Sequence, residues 1–140
     1  MASSLEKTKL KSVRSIRNLL WIDCSAGALA GVFVLVFAGP LSRLHAMPLD
    51  LLMFIGVVNL VYASYSFFLA TRDKRPRPLI TVLVVANGIW ALACLSMAVA
   101  FADTATHFGL GHLVAEAIFV GGLAGLEWKW RAQLLRRQTH

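Results

Sequence analysis

The sequence predicts an all-α, polytopic four-helix bundle in a membrane, and three observations predict it. Hydrophobic residues make up 58% of the 140-residue chain and charged residues only 15%, with a mean hydropathy of +0.68. Ordinary soluble domains are roughly a quarter charged. The apolar residues gather into four runs, at about 19–38, 51–70, 79–102 and 108–128. At ~1.5 Å per helical residue, each run can cross ~30 Å of hydrocarbon. The cations lie between and beyond the runs. Lys7, Lys9, Lys11, Arg14 and Arg17 precede the first; Arg72, Lys74, Arg75 and Arg77 separate the second from the third; Lys129, Arg131, Arg136 and Arg137 follow the last. Only Arg43 falls in a loop of the other set. The positive-inside rule then places the N-terminus, the central loop and the C-terminus in the cytoplasm. The net charge of +7 therefore reads as topology and attraction to anionic lipid headgroups at the cytoplasmic face, not as a nucleic-acid footprint.

Segment 1–18 has Ser3 and Glu6 at capping-box spacing, then Leu10, Val13, Ile16 and Leu20 among five cations. Two readings fit it: an amphipathic helix lying on the headgroups, or a frayed basic tail. The first span, ended by Gly39-Pro40, carries Asp23 and a Gly27-x-x-x-Gly31 strip where another backbone can approach. Val36-Phe37-Ala38 is similar to a signal-peptidase site. An uncleaved anchor is expected all the same, because Asp23 interrupts the apolar run and the second hairpin has the same layout.

After a loop with Arg43, His45 and Asp50, the second span carries Asn59 as its strongly polar side chain. The third carries Asn87 and Trp90, and a turn with Asp103 and His107 follows it. The fourth carries His112, Glu116 and a Gly121-x-x-x-Gly125 strip, before the basic tail 129–140. Trp21, Trp128 and Trp130 fall where amphipathic rings anchor helices at the interface. The two glycine strips imply either that the first and last helices touch or that one strip serves an oligomer. Asp23 and Asn87 hold similar places in the two halves, which suggests two parallel two-helix repeats about an axis along the membrane normal.

Length and composition leave no room for a soluble catalytic domain, so a non-enzymatic protein is expected. Cys24 and Cys94 sit singly inside apolar runs and read as small buried hydrophobes, which sets aside membrane thiol oxidoreductases. Nothing matches a nucleophile with its base, a phosphate loop or a cofactor fingerprint.

Counting from the basic ends places Asn59, Asn87 and Glu116 near mid-membrane and Asp23 nearer the basic side. A membrane acid faces a bundle interior or a wet cavity. A protonated Glu116 would donate to Asn59 or Asn87, and Asp23 is within reach of Arg14 and Arg17. His112 and Glu116, four apart on one helix face, could start a proton path; the competing reading makes Glu116 interhelical glue and His112 an interfacial side chain. His45, His107 and His112 gather on the outer side with Asp50 and Asp103, but their spacing is no known ligand motif, and neither a metal nor another cofactor is expected.

Asn87-x-x-Trp90, Phe108-Gly109-x-x-His112, Glu116-Ala117 and Leu126-Glu127-Trp128 together resemble a group of small four-span bacterial integral membrane proteins of unassigned function. The resemblance runs from about Trp21 onward and implies a multi-pass protein of the bacterial inner membrane. That group has Gln-Ala where this chain has Glu116-Ala117, and an amide bridges helices without titrating. Small multidrug transporters differ, since their membrane glutamate lies in the first span, where this chain has Asp23. Three functions follow in order: a structural or accessory protein, self-associated or held by a membrane partner; a small proton-linked transporter or channel; and a haem or quinone accessory subunit.

Overall fold

Hydrocarbon offers backbone groups no partner, so a chain of this composition must satisfy them within its own helices. The structure, a computed structural model, describes residues 2–72 and 77–135, without the side chains of residues 9, 11–17 and 130–135. Among the described residues there are five helices and no strand: α1 (Ala2–Val36), α2 (Ala38–His45), α3 (Leu49–Ala70), α4 (Arg77–Ala100) and α5 (His107–Leu135). Four stretches, Asn18–Val36, Leu49–Ala70, Arg77–Ala100 and His107–Lys129, are long and apolar enough to cross a membrane. The predicted multi-span bundle is what the chain forms.

Helix α1 packs on α3 and α4 packs on α5, giving two antiparallel hairpins. The start of α1, the end of α3, the start of α4 and the end of α5 therefore lie at one end of the bundle, the termini end, and α2 lies at the other. Large apolar side chains cover the outside: Val99 is 79% exposed, Leu29 73% and Ile118 70%. In water such a surface would aggregate, whereas among lipid tails it needs no cover. Two apolar cores lie inside. Val34, Leu41, Met47, Leu52, Ile55 and Leu113 fill the α2 end, and Leu20, Leu69, Ala70 and Leu83 fill the termini end.

Helix α1 runs unbroken through residue 18, joining the basic segment 1–18 to the first span. One element differs from the sequence reading. The Gly39-Pro40 pair does not end the first span in a loop; α1 stops at Val36 and Pro40 falls in the first turn of α2. A proline is tolerated there because a first-turn N–H has no intrahelical partner to lose. Helix α2 then closes with Ala46 in the left-handed region (φ 52°) and the Met47 N–H on the Ser42 carbonyl at 3.1 Å.

That closing turn is tied to the far hairpin. The Thr106 N–H donates to the His45 carbonyl at 3.0 Å, and the Thr106 hydroxyl donates to the Leu44 carbonyl at 2.6 Å. The Thr106 oxygen also accepts the Gly109 N–H at 3.3 Å, capping α5. Gly109 makes the approach possible, since a Cβ there would stand 2.8 Å from the His45 carbonyl oxygen.

The glycine strips have different uses. Gly27 and Gly31 lie against α3, where added Cβ atoms would meet Ala63 Cβ at 3.3 Å, and Leu60 Cγ at 2.8 Å and the Gly56 carbonyl oxygen at 2.9 Å. In the second strip, Gly121 reaches only Ala91 Cβ at 3.7 Å and Gly125 has nothing within 4 Å. The first strip therefore seats its own hairpin partner, α3, and not the last helix.

Candidate functional site

Polar residues on the inward faces form two clusters. The first is at the α2 end. His45 is 5% exposed, and its Nδ1 lies 2.7 Å from the Leu41 carbonyl oxygen. A carbonyl only accepts, so Nδ1 carries a proton. His45 Nε2 is 3.3 Å from His112 Nδ1, with the rings 5.2 Å apart at 57°. His112 Nε2 in turn is 3.3 Å from Glu116 Oε2.

The contact between the two imidazoles needs a proton, because facing lone pairs repel, whereas the His112–Glu116 contact is an ion-pair approach without an aligned N–H.

Glu116 is gripped from across the bundle. Its Oε1 accepts Asn59 Nδ2–H from α3 at 3.0 Å and Trp90 Nε1–H from α4 at 2.8 Å. Asn59 also donates to the Ile55 carbonyl at 3.1 Å, which fixes its amide. Oε2 is within ion-pair reach of His112 but off the N–H direction, so this buried oxygen has no aligned donor.

The second cluster lies toward the termini end. Asp23 is 2% exposed, and its Oδ2 accepts both the Tyr62 hydroxyl at 2.5 Å and the Ser66 hydroxyl at 3.0 Å. Asn87 Nδ2 donates to the Tyr62 oxygen at 2.5 Å and to Glu127 Oε2 at 3.2 Å. Glu127 is 4% exposed, and its Oε1 has no partner among the described residues. Asp23 and Asn87 lie the same number of residues from the ends of their helices, Val36 and Ala100, and meet at one hydroxyl.

Between the hairpins is a cavity of about 830 Å³, with Asn59, His112 and Glu116 toward the α2 end and Asp23, Tyr62 and Asn87 toward the termini end. Its size is that of a small-molecule site. Its other walls are largely apolar. Val57 and Val61 of α3 and Val82 and Ile89 of α4 line it and are also 49–66% exposed on the bundle surface. The cavity therefore opens sideways between α3 and α4, where lipid tails lie.

Of the residues expected to share a site, the structure joins Asn59, Glu116 and His112. It separates Asn87, which sits a turn nearer the termini end than Trp90 and bonds Tyr62 and Glu127. For Asp23 the described partners are Tyr62 and Ser66; the side chains of Arg14 and Arg17 lie outside the described residues. Trp21 packs edge-on against Phe67, with centroids 5.8 Å apart, and Trp128 is exposed; the Trp130 side chain lies outside the described residues. His107 is exposed, and among the described residues no group of three or more His, Cys, Asp or Glu is poised around a metal. Cys24 and Cys94 are buried free thiols.

Tyr62, Ser66 and Glu127 were not singled out as site residues from the sequence, although a signal was present. Asn59, Tyr62 and Ser66 recur at helical spacing on one face of an apolar helix, and Glu127 follows Glu116 by about three turns. Comparison of the chain with protein-family models, curated proteins and solved structures finds no match.

Proposed function

We propose that this chain is a small, non-enzymatic membrane carrier that exchanges a proton for a lipid-soluble solute in the cavity between its hairpins. The observation that carries this reading is the His45–His112–Glu116 series, which runs from the α2 end to a carboxylate on the cavity wall. A proton entering at His45 reaches Glu116 through two contacts of 3.3 Å, the second of which needs His112 to turn its N–H onto Oε2. Asn59 and Trp90 hold the carboxylate in place while its charge changes. The orientation follows from the segregated cations: the termini end in the cytoplasm, the α2 end outside. The test is proton flux into proteoliposomes, followed with a trapped pH dye under an imposed potential. The intact chain should exceed empty vesicles, and Glu116→Gln should remove at least nine-tenths of that excess while its melting profile stays close to that of the intact chain. No flux from either protein would overturn the reading.

A second reading, a structural or accessory subunit, is favoured by a different observation. The Asn59–Glu116 and Asn87–Tyr62 bonds cross from one hairpin to the other, where the main helix contacts are within each hairpin. Under that reading the same polar groups are interhelical glue, and Glu116→Gln keeps both fold and partner.

A further inference from the structure

The carrier reading leaves open which solutes the cavity accepts. Its walls carry two carboxyl side chains, Asp23 and Glu116, and no lysine or arginine. Glu116 is 10% exposed at its side chain, lines the cavity and holds Oε2 without an aligned donor. Its other oxygen has two N–H donors and Oε2 itself is enclosed beside His112, so a solute in the cavity meets the charge of the carboxylate at the wall. Around it stand aromatic faces. Trp90 has its N–H on Glu116, Phe54 packs 6.2 Å from Trp90 at 56°, and Tyr62, Tyr65 and Phe119 line the rest. A carboxylate among aromatic rings, with entry through lipid, is the chemistry that recognises a positively charged nitrogen on an apolar body.

We propose that the cavity takes amphiphilic organic cations, such as protonated alkylamines, with the ammonium beside the Glu116 carboxylate and the hydrocarbon between α3 and α4. This rests on the carrier reading and names its substrate class. Charge balance sets the coupling. A Glu116 carboxylate that holds an ammonium cannot also hold a proton, so the two compete and a protonated Glu116 gives up one proton for each ammonium bound. Binding therefore strengthens as pH rises while the amine stays charged. The titratable groups facing Glu116 are His112 on its own helix, with His45 of α2 behind it, and Cys94 of α4; Asp23 and Tyr62 lie farther along the cavity. A neutral alcohol of the same length can donate a hydrogen bond to the carboxyl group, but it neither displaces the proton nor gains from the rings.

The experiment uses the full chain with Trp21, Trp128 and Trp130 changed to Phe, which leaves Trp90 as the single tryptophan of the four. It is placed in lipid nanodiscs containing phosphatidylcholine brominated on its acyl chains. Bromine should quench Trp90, because lipid tails enter the cavity. Dodecylamine should relieve the quenching at a membrane concentration at least tenfold below that of dodecan-1-ol, and up to tenfold lower again per pH unit between 6 and 8. Glu116→Gln should bring the two amphiphiles within about twofold.

Absent quenching would overturn the carrier reading itself, since the cavity would be closed to the bilayer. Quenching relieved equally by amine and alcohol in the intact chain would overturn only the cation proposal. So would an amine preference that survives Glu116→Gln or does not change with pH.

Discussion

Glu116 and Glu127 lie about three helical turns apart on one side of α5, and both are buried acids whose partners include an asparagine from another helix. What lies before each carboxyl differs. Glu116 faces a lipid-accessible cavity and touches a histidine series leading to the α2 end. Glu127 lies outside the cavity lining, among Asn87, Tyr62 and Asp23, where the donors are amide and hydroxyl groups. One acid has a histidine series and a cavity beside it; the other has neither. Under the carrier proposal, that adjoining space and histidine series, and not burial or residue type, separate a working membrane acid from a packing one.

The strongest way to break this comparison is at Asp23. Asp23→Ala strands the Tyr62 and Ser66 hydroxyls, at about 1–3 kcal/mol for each buried donor left unmade, so midpoints in detergent unfolding should fall clearly. Asp23→Asn keeps an acceptor and should cost less than ~1 kcal/mol, with proton flux retained in both variants that fold. If Asn proves as damaging as Ala, charge matters at the termini end too, and the contrast between the clusters collapses.

A smaller effect is expected at Gly109. Gly109→Ala puts a methyl 2.8 Å from the His45 carbonyl oxygen and forces α2 away from α5, at about 1–3 kcal/mol for overpacking. The His45–His112 contact should lengthen. Flux should drop severalfold, while hydrogen-exchange protection around Tyr62 and Asn87 should stay as it was. Unchanged flux in a folded Gly109→Ala protein would remove His45 from the proton path.

The smallest effect sharpens the comparison. Ala46 holds a left-handed conformation that costs a non-glycine residue about 1–2 kcal/mol. Ala46→Gly should raise the unfolding midpoint slightly, by no more than ~1 kcal/mol once glycine's greater chain entropy is counted. Flux should not change, because the turn already sets His45.

Much of this molecule was legible without coordinates. The four spans, their near-20-residue lengths and the gathering of cations at one end follow from hydropathy and charge along the chain. Each span is solvated by lipid almost residue by residue, so a one-dimensional pattern suffices. That Asn59, Asn87 and Glu116 lie at similar depth was legible too, because depth can be counted from the basic ends, but which asparagine meets Glu116, and that the amide is the donor, was not. Depth could not say which way a side chain points around its helix. Asn87 matches Glu116 in depth only roughly and turns to Tyr62 instead. Gly27 and Gly31 could have faced α5 as well as α3. His45 sat in what read as a loop, and only helix α2, its left-handed turn and the bare Gly109 bring it onto His112. The sequence by itself determined the spans, the end that carries the cations and the depth of the polar groups, since these depend on one residue and the lipid around it. The tertiary structure alone decided which acid faces a cavity and which is enclosed. That depends on the rotation of each helix about its own axis and on the gap between two hairpins, and both are set by packing between residues far apart in the chain.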